Sequence, residues 1–336
     1  MMSSGPSLIL SHKADYQPTM KFLMNIAVGS IFTISNFSVK TGMDFSECVK
    51  VLEELTQGGF LEKLLAIRCP ECGLLLETFY PKDYTIGTRY CASCDMDSDI
   101  SADCTEVVFR VVNIPFSVGQ KNKIMISEHS SAHKIFSLET FLENGGSFNR
   151  EFYCPTEDEY KLLAEKYENI FKVHKTTKEC GDSLESLVLN LFRCCKHYSA
   201  TNKIKLGDNQ IDCFVRNKMY IPGISQFGTV DFFVIECKNE KDPPGITYFN
   251  KLHSILINSS LQFGVIVSKC RAAKTLNEFA RTIFLKDNII MINLDSDDLK
   301  KIIIDKENLL ECMERKMAEV KLGVAGDLKE MGLFYV

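Results

Sequence analysis

Apolar residues recur along the chain at spacings that distinguish helices from strands. In the segment 181–200, GDSLESLVLNLFRCCKHYSA, the apolar positions Leu184, Leu187, Val188 and Leu191 repeat every three or four residues. That period places them on one side of a helix, so the segment predicts an amphipathic helix that packs on a core.

A second pattern marks a buried strand that ends in charged residues. The segment 230–240, VDFFVIECKNE, contains four consecutive large apolar residues, FFVI, ahead of its polar end. Such a run is expected of a strand covered on both faces in an α/β sheet. Successive strand side chains point to opposite faces, so Glu236 and Lys238 should share one face and Cys237 the other. A weak, exposed ion pair at the strand end is the alternative explanation.

Further strands and helices are predicted around this strand. Segments 204–217 and 261–269 are strand-like, 275–287 has the pattern of a helix, and 288–294 is a closing strand. Helices that alternate with strands in this way indicate an α/β unit. After residue 305 a last helix is predicted, and its apolar face is expected to pack on the core.

The N-terminal pattern, over residues 18–64, predicts helix, helix, turn, helix and a short strand. Asp44 is the expected N-cap of the third helix, and Gly58 and Gly59 should end it. The run 37–63 resembles the winged helix-turn-helix, with its turn at residues 41–43.

The helix that reads DNA in such a fold carries an acidic surface in this chain. Its acidic residues are Asp44, Glu47, Glu53 and Glu54, and Lys50 is its single basic residue. Affinity for phosphates depends on basic side chains that release counterions. A protein contact or dimerisation is therefore the preferred role of this segment, and DNA reading is the alternative.

Two CxxC pairs follow the predicted wing. Cys69 and Cys72 form the first pair, and Cys91 and Cys94 form the second after 18 intervening residues. This spacing is typical of a four-thiolate zinc site, in which each pair directs two sulfurs at one ion. Four thiolates leave no open coordination position, so a structural Zn²⁺ in a zinc ribbon is predicted, and four unrelated cysteines are the alternative.

The overall composition limits the classes of protein to which these segments can belong. With 336 residues the chain is long enough for two or three domains, and 45% hydrophobic with 25% charged residues is typical of soluble globular proteins. The formal net charge of −5 provides no general attraction to nucleic acid. A surface that binds nucleic acid must therefore be local.

The chain also lacks the sequence features of a membrane or secreted protein. No apolar run approaches the ~20 residues that span a bilayer, and the first residues lack the pattern of a signal peptide. A cytoplasmic protein without a membrane partner is predicted. In a reducing compartment the other cysteines, from a total of 14, are expected to be small buried hydrophobic residues.

The region 179–304 resembles the PD-(D/E)xK nuclease superfamily, and most closely the catalytic domain of the Mrr-like restriction endonucleases. The residues that carry the resemblance are the GDSLE run ending at Glu185, the GDNQID run ending at Asp212 and the IECK run of residues 235–238. The resemblance implies a restriction-endonuclease-like mixed sheet flanked by helices, within an α/β, multidomain (α+β) chain.

The chemistry of phosphodiester hydrolysis accounts for these residue types. Mg²⁺, or Mn²⁺ in its place, prefers carboxylate oxygens, which Asp212 and Glu236 can supply from neighbouring strands. Lys238 would orient or deprotonate the attacking water and offset charge in the transition state. The resemblance adds the backbone carbonyl of Cys237 as a metal ligand, and Glu185 would complete the site directly or through water.

The chain departs from the family in two respects. The family often has Gln where this chain has Glu236, and the added charge should favour metal binding. The segment between Asp212 and Glu236 is longer than in relatives, so its loop at Pro222-Gly223 is expected to contact substrate. Asp208 and Asp231 are rival ligands, but Asp231 should lie on the opposite strand face and Asp208 in a turn.

Basic residues cluster near the start of this region. Lys196, Lys203 and Lys205 are the predicted nucleic-acid-binding residues, and a solvated lysine-rich face is the alternative. The whole cluster comprises Lys172, Lys175, Lys178, Lys196, His197, Lys203 and Lys205. Histidines 129, 133 and 174 have no partners at ligand spacing and are expected to be surface residues.

These patterns together predict five segments and one activity. The segments are a winged-helix-like domain at 1–65, a zinc ribbon at 66–112, a connecting region at 113–178, the nuclease domain at 179–304 and a helical tail at 305–336. The expected activity is that of a Mg²⁺-dependent endonuclease acting on double-stranded DNA, and the resemblance implies restriction or anti-phage defence. The alternatives are an RNA nuclease and a catalytically inert nucleic-acid-binding regulator or scaffold.

Overall fold

The chain is mixed α/β and divides into two compact units. A computed structural model describes residues 17–85, 87–113, 137–206, 209–218, 230–240, 242–273 and 275–323. The described residues before Asn149 form the first unit, and those from Asn149 onward form the second. The described parts of the chain contain eleven α-helices and three sheets.

Four helices belong to the first unit, and their ends follow from local sequence. They are α1 (Gln17–Met24), α2 (Ile34–Thr41), α3 (Phe45–Gln57) and α4 (Leu138–Glu143). The Asp44 side chain caps α3 by accepting a hydrogen bond from the backbone N–H of Glu47 (2.8 Å), as predicted. Gly42 ends α2 in the left-handed conformation (φ 76°), which glycine adopts without strain.

The strands of the first unit form two antiparallel sheets. They are β1 (Ile31–Thr33), β2 (Leu61–Arg68), β3 (Leu75–Phe79), β4 (Gly87–Cys91), β5 (Met96–Ile100) and β6 (Thr105–Val111). One sheet has the order β1-β6-β2-β3, and β4 pairs with β5 in the other. The predicted boundary between residues 65 and 66 falls inside β2, because the winged-helix-like segment and the ribbon segment contribute strands to the same sheet.

Seven helices and one sheet form the second unit. The helices are α5 (Asn149–Phe152), α6 (Glu157–Asn169), α7 (Thr177–Arg193), α8 (Ile246–Asn258), α9 (Thr275–Asp287), α10 (Ser296–Ile303) and α11 (Leu309–Leu322). The strands are β7 (Tyr198–Leu206), β8 (Asn209–Asn217), β9 (Phe232–Lys238), β10 (Phe263–Ser268) and β11 (Ile290–Leu294).

The sheet of the second unit is mixed, with the strand order β11-β10-β9-β8-β7. Strands β7, β8 and β9 form an antiparallel meander, whereas β9, β10 and β11 are parallel. The parallel strands are joined through α8 and α9, as crossover connections between parallel strands require.

The two faces of this sheet are covered by different helices. On one face, the Phe233 ring of β9 packs edge-on against Phe192 of α7 (6.0 Å between centroids) and against Tyr198 (5.4 Å). On the other face, a Cβ atom added to Gly264 of β10 would lie 2.9 Å from Leu256 of α8, so this glycine permits a close approach of helix and strand.

The predicted C-terminal segment forms part of the second unit. Its apolar residues in α11 are buried, so the predicted packing on the core is confirmed: Leu309, Leu310, Met313 and Met317. Part of the predicted connecting region, as α5 and α6, also lies in this unit, while histidines 129 and 133 fall outside the described residues. Among the described helices, none combines the length and the apolar character needed to cross a bilayer.

Candidate functional site

The four predicted cysteine ligands come together in the first unit. Cys69 directly follows β2, Cys91 ends β4, and the other two lie in the turns that follow. The Sγ atoms of Cys69 and Cys94 are 3.8 Å apart, and those of Cys72 and Cys91 are 3.6 Å apart. All four sulfurs lie within 4.8 Å of one another.

These separations are those of a tetrahedral metal site. Zinc bound to four sulfurs at ~2.3 Å places the sulfurs roughly 3.8 Å apart. A disulfide would instead bring two sulfurs to about 2.05 Å, and all four cysteines are free thiols. The group could therefore bind a metal such as zinc.

The backbone around the first CxxC pair directs both sulfurs inward. Gly73 has a left-handed conformation (φ 71°) and donates its N–H to the carbonyl of Cys69 (2.9 Å). Burial raises the pKa of the Cys69 thiol, but hydrogen bonds from the backbone N–H groups of Cys72 and Glu71 and from the neighbouring thiols together lower this pKa to about 6, while hydrogen bonding to Cys72 raises the pKa of the Cys94 thiol. A thiolate, the form that binds metal, is thus favoured at this position.

Asp212 and Glu236 occupy neighbouring strands at one end of the second unit's sheet. Cys213 of β8 is paired with Ile235 of β9, so one further step along this antiparallel register places Asp212 beside Glu236. The Asp212 carboxylate also accepts a hydrogen bond from the backbone N–H of Cys237 (2.8 Å). The structure therefore brings together three of the predicted site residues.

Glu236 is a buried carboxylate whose negative charge is only partly compensated by nearby lysines. Only 1% of the residue is exposed, and its Oε2 lies 3.0 Å from Nζ of Lys251 and 3.6 Å from Nζ of Lys238. Its Oε1 is buried and has no hydrogen-bond partner among the described residues. Burial, and then the nearby Asp212 carboxylate, raise the pKa of Glu236, while the two lysines lower it. An unsatisfied buried carboxylate oxygen is costly, so this position suits a cation.

Lys238 extends over the same face of the sheet as Glu236, as the strand alternation predicts. Its ammonium group lies 4.5 Å from the centre of the Tyr248 ring on α8, which is a cation–π distance. The side chain is 16% exposed. Lys238 is therefore held in place by an aromatic ring while its ammonium stays within reach of solvent.

Glu185 approaches the same region from α7. Its Oε2 is 3.6 Å from Nζ of Lys203, which in turn lies 2.7 Å from Asp182. Burial, and then the negative charge of Asp212, raise the pKa of Glu185. The third predicted carboxylate is thus electrostatically coupled to Asp212 without contacting it.

The predicted basic residues have different surroundings. Lys203 adopts a left-handed backbone conformation (φ 54°) and its ammonium is bound by acidic side chains of α7. Lys196 lies 3.8 Å from Glu159, and Lys205 is exposed. A phosphate-binding role for these three lysines stays a prediction, and it fits Lys205 best because acidic groups already compensate the other two.

Two residues near the site were not predicted from sequence. Lys251 of α8 is the nearest cation to Glu236, and nothing in its local sequence distinguishes it from a surface lysine. The Asn239 amide donates to the backbone carbonyl of Cys180 and to Oγ of Ser183 (3.1 Å), which ties the end of β9 to α7. The sequence signal for Asn239 was its position directly after the ExK motif.

Of the two rival ligands, Asp231 does not enter this group. Asp231 precedes β9, whose other end carries Glu236, and it is exposed. Asp208 and the loop at Pro222-Gly223 lie outside the described residues.

The two candidate sites differ in how closely their ligands converge. Within the described residues, the four cysteines are the one group in which three or more Cys, His, Asp or Glu ligand atoms lie within 4.8 Å of one another. Comparison of the chain with protein-family models, with curated proteins and with solved structures finds no match. The geometry of the two sites is therefore the basis for assigning a function.

Proposed function

We propose that the second unit is a metal-dependent endonuclease that hydrolyses phosphodiester bonds in DNA. The observation that carries this proposal is the buried Glu236 oxygen, which has no hydrogen-bond partner within the described parts of the chain, near Lys238 of the same strand and Asp212 of the neighbouring strand. A buried acid beside a second acid and a lysine is costly for stability, and such groups are concentrated at functional sites.

The order of elements supports the same proposal. Helix α7 is followed by the meander β7-β8-β9, by helix α8 and by the parallel strand β10. A mixed sheet flanked by helices, with the acidic and basic residues at the end of its third strand, is the arrangement that the resemblance to Mrr-like PD-(D/E)xK nucleases implies.

The donor set fits a hard divalent cation. Asp212, Glu236 and the backbone carbonyl of Cys237 would hold Mg²⁺ or Mn²⁺, because such ions prefer oxygen ligands and retain several waters. Once bound, the ion would supply Lewis acidity for the phosphate and a lowered pKa for water. It would also compensate the negative charge of Glu236. Burial and the Asp212 carboxylate raise the pKa of this residue.

The remaining roles fall to side chains of this chain. Lys238, held by the Tyr248 ring, would donate a hydrogen bond to the attacking water or to a phosphate oxygen. Glu185 would orient Lys203 and add negative potential at Asp212. In the first unit, Zn²⁺ bound by the four cysteines would have a structural role, because four thiolates complete its coordination.

The test is cleavage by the purified full chain. Supercoiled plasmid, single-stranded DNA and RNA of matched length would each be incubated with Mg²⁺ or Mn²⁺. We expect nicking or linearisation of the plasmid, and a loss of about 10²–10⁴-fold in rate for Asp212→Asn, as for other positioned groups. The control is Asp158→Asn, because Asp158 is exposed on α6. Absence of cleavage of every substrate by folded protein would refute the proposal.

One observation favours an inert regulator or scaffold as the second candidate. Lys251 and Lys238 both lie near Glu236 and compensate part of its charge without a metal. A protein of this kind would bind nucleic acid and leave it intact. Calorimetric titration with Mg²⁺ separates the two candidates, since a nuclease requires binding that is lost in Asp212→Asn, and an inert scaffold requires none.

A further inference from the structure

An exposed phenylalanine, Phe232, and a half-exposed one, Phe214, lie on the same face of the sheet as Asp212 and Glu236. Along β7 the residues facing this side are small and exposed, namely Ser199 and Thr201, and they pair with Arg216 and Phe214 of β8. On β9 the corresponding residue is Phe232, which is 38% exposed although it begins a strand of buried residues.

The two phenylalanine rings are stacked on each other and leave their outer faces for further contacts. Their ring centres are 5.6 Å apart and their planes differ by 27°, so they are stacked across the β8–β9 pair. The guanidinium of Arg216 lies 5.9 Å from the centre of the Phe232 ring. Arg216 is exposed, and no acidic partner of it is found among the described residues within ion-pair distance.

This surface is close to the proposed active site. Phe214 is two residues from Asp212 along β8, or about 7 Å at ~3.3 Å per residue. Phe232 is four residues from Glu236 along β9, or roughly 13 Å. Both intervals are even, so alternation places all four side chains on one face.

We propose that Phe214, Phe232 and Arg216 form a platform on which an unpaired base of the nucleic-acid substrate stacks. This inference rests on the proposed function, because the strand that carries the base is the one positioned at Asp212 and Glu236. Bases stack on aromatic rings irrespective of their identity, and a nearby guanidinium adds stacking and attraction to the phosphate.

The chemistry of the surface favours a base over an apolar peptide or a second copy of the chain. An aromatic ring with a guanidinium beside it and small hydroxyl side chains around it presents a flat face together with positive charge. Cross-strand packing alone explains why the rings stack on each other. It does not explain the exposed cation next to two exposed or half-exposed rings beside a cluster of acids.

The experiment tests whether binding of the nucleic acid requires the aromatic ring of Phe232 or only its apolar area. Oligonucleotides that contain 2-aminopurine, whose fluorescence is quenched on stacking, would be titrated with the full chain without added Mg²⁺ or Mn²⁺, so that no cleavage occurs and the cysteine site keeps its metal. Phe232→Leu keeps apolar area and removes the ring, and we expect its affinity for single strands to fall about 5- to 100-fold with loss of quenching. Phe232→Tyr should retain both signals.

The matched control is Phe171→Leu, since Phe171 is an exposed aromatic residue elsewhere in the second unit. Phe232→Leu should weaken the binding of a fully paired duplex less than the binding of single-stranded DNA. Its effect on single-stranded RNA should equal that on single-stranded DNA, because the bases of both offer the same π face. Equal affinities of wild type and a folded Phe232→Leu variant would overturn the platform. So would a wild-type dimer that Phe232→Leu dissociates, because the face would then be an interface between copies.

Failure of the platform and failure of the nuclease proposal give different results. A wild type that cleaves DNA while Phe232→Leu binds normally overturns the platform alone. A wild type that quenches 2-aminopurine through Phe232 and cleaves nothing overturns the nuclease alone and supports the platform. Absence of any binding to nucleic acid overturns both.

Discussion

The two units bury charged groups next to their candidate metal sites, but they compensate these charges differently. In the first unit, Arg68 immediately precedes the first cysteine ligand and is paired with Glu106 at 3.0 Å, with side chains 4% and 5% exposed. Arg68 also donates to the carbonyl of Gly73 (3.1 Å), inside the turn that presents the thiols. The buried charges there are matched and hold the turn.

In the second unit the compensation is incomplete. Where the structure describes its surroundings, Glu236 has one buried oxygen without a hydrogen-bond partner, a second acid beside it, and two lysines near its other oxygen. Complete pairing suits a structural site, whereas incomplete pairing leaves a charge that a ligand can satisfy. This difference is the one expected if, as proposed, the cysteine site stabilises the fold and the carboxylate site acts on a substrate.

The largest expected effect is that of metal removal from the first unit. Structural zinc contributes folding free energy on the order of 10–16 kcal/mol in small domains, so chelation should make residues 69–104 protease-sensitive. Metal analysis of protein purified without added metal, followed by limited proteolysis, tests this. Cys72→Ser should behave like the chelated protein, and Cys104→Ser should not, because Cys104 lies outside the cluster. A ribbon that is metal-free and still protease-resistant would contradict the structural role.

The next effect concerns catalysis in the second unit. Lys238→Ala should lower the cleavage rate about 10²–10⁴-fold while Mg²⁺ affinity is retained, because the proposed role of Lys238 is at the water or phosphate and not at the metal. Lys161→Ala, on the exposed side of α6, is the control. A Lys238→Ala enzyme that cuts at the wild-type rate would return this lysine to the role of an ion-pair partner of Glu236.

Breaking the matched pair of the first unit should affect stability and leave catalysis unchanged. Arg68→Met leaves Glu106 buried without its cation, which typically costs about 3–5 kcal/mol. Arg89→Met is the matched control, because the Arg89–Glu77 pair is partly exposed and worth at most about 1 kcal/mol. Denaturant unfolding of the two variants measures the difference. Similar losses in the free energy of unfolding would show that the buried Arg68–Glu106 pair contributes no more to stability than the partly exposed Arg89–Glu77 pair.

Neutralising Glu236, the acid whose charge is incompletely compensated, should raise the stability of the protein, and by less than Arg68→Met lowers it. The folded-state pKa of Glu236 is raised, so its contribution to stability is fully present below the ordinary carboxyl pKa and is lost as pH rises through the raised value. Glu236→Gln should remove this pH dependence and stabilise the protein at neutral pH by about 1 kcal/mol, since one poorly compensated charge is gone. Glu278→Gln, at an exposed position of α9, should do neither.

Thermal unfolding against pH, with and without Mg²⁺, measures both parts of that prediction. Mg²⁺ at ten times its dissociation constant should stabilise the wild type by about 1.4 kcal/mol and leave Glu236→Gln unchanged. Equal Mg²⁺ effects on both proteins would place the metal elsewhere.

The smallest expected effect is at the acidic helix of the first unit. Lys50→Gln in α3 should leave duplex affinity at low salt unchanged, because that helix carries mainly acidic side chains. Lys205→Gln, at the exposed lysine of β7, should weaken binding and reduce the salt slope by about 1. A larger loss for Lys50→Gln than for Lys205→Gln would assign DNA contact to the winged-helix-like segment.

Spacing and periodicity in the sequence were sufficient to predict much of what the structure contains. The two CxxC pairs predict a four-sulfur cluster because a tight turn must bring both cysteines of a pair to one point. The alternation in β9 predicts a common face for Glu236 and Lys238, and the cap at Asp44 follows from a local hydrogen bond. These features depend on backbone geometry over a few residues, and local sequence therefore determines them.

Other features depend on contacts between elements that are distant in sequence. The sharing of one sheet by β2 and β6, the approach of Lys251 to Glu236, and the capture of Lys203 by α7 were not predictable. A lysine in a helix has the same local pattern whether it faces solvent or a buried carboxylate, and only packing distinguishes these cases.

The sequence by itself thus determined which four cysteines come together and which strand face carries the acid and the lysine. The tertiary structure alone decided that the first charge pair is matched, that one Glu236 oxygen lacks a donor among the described residues, and that two stacked aromatic rings lie on the same face of the sheet. The physical reason is that the cost of a buried charge depends on every group packed around it, and folding assembles those groups from separate parts of the chain.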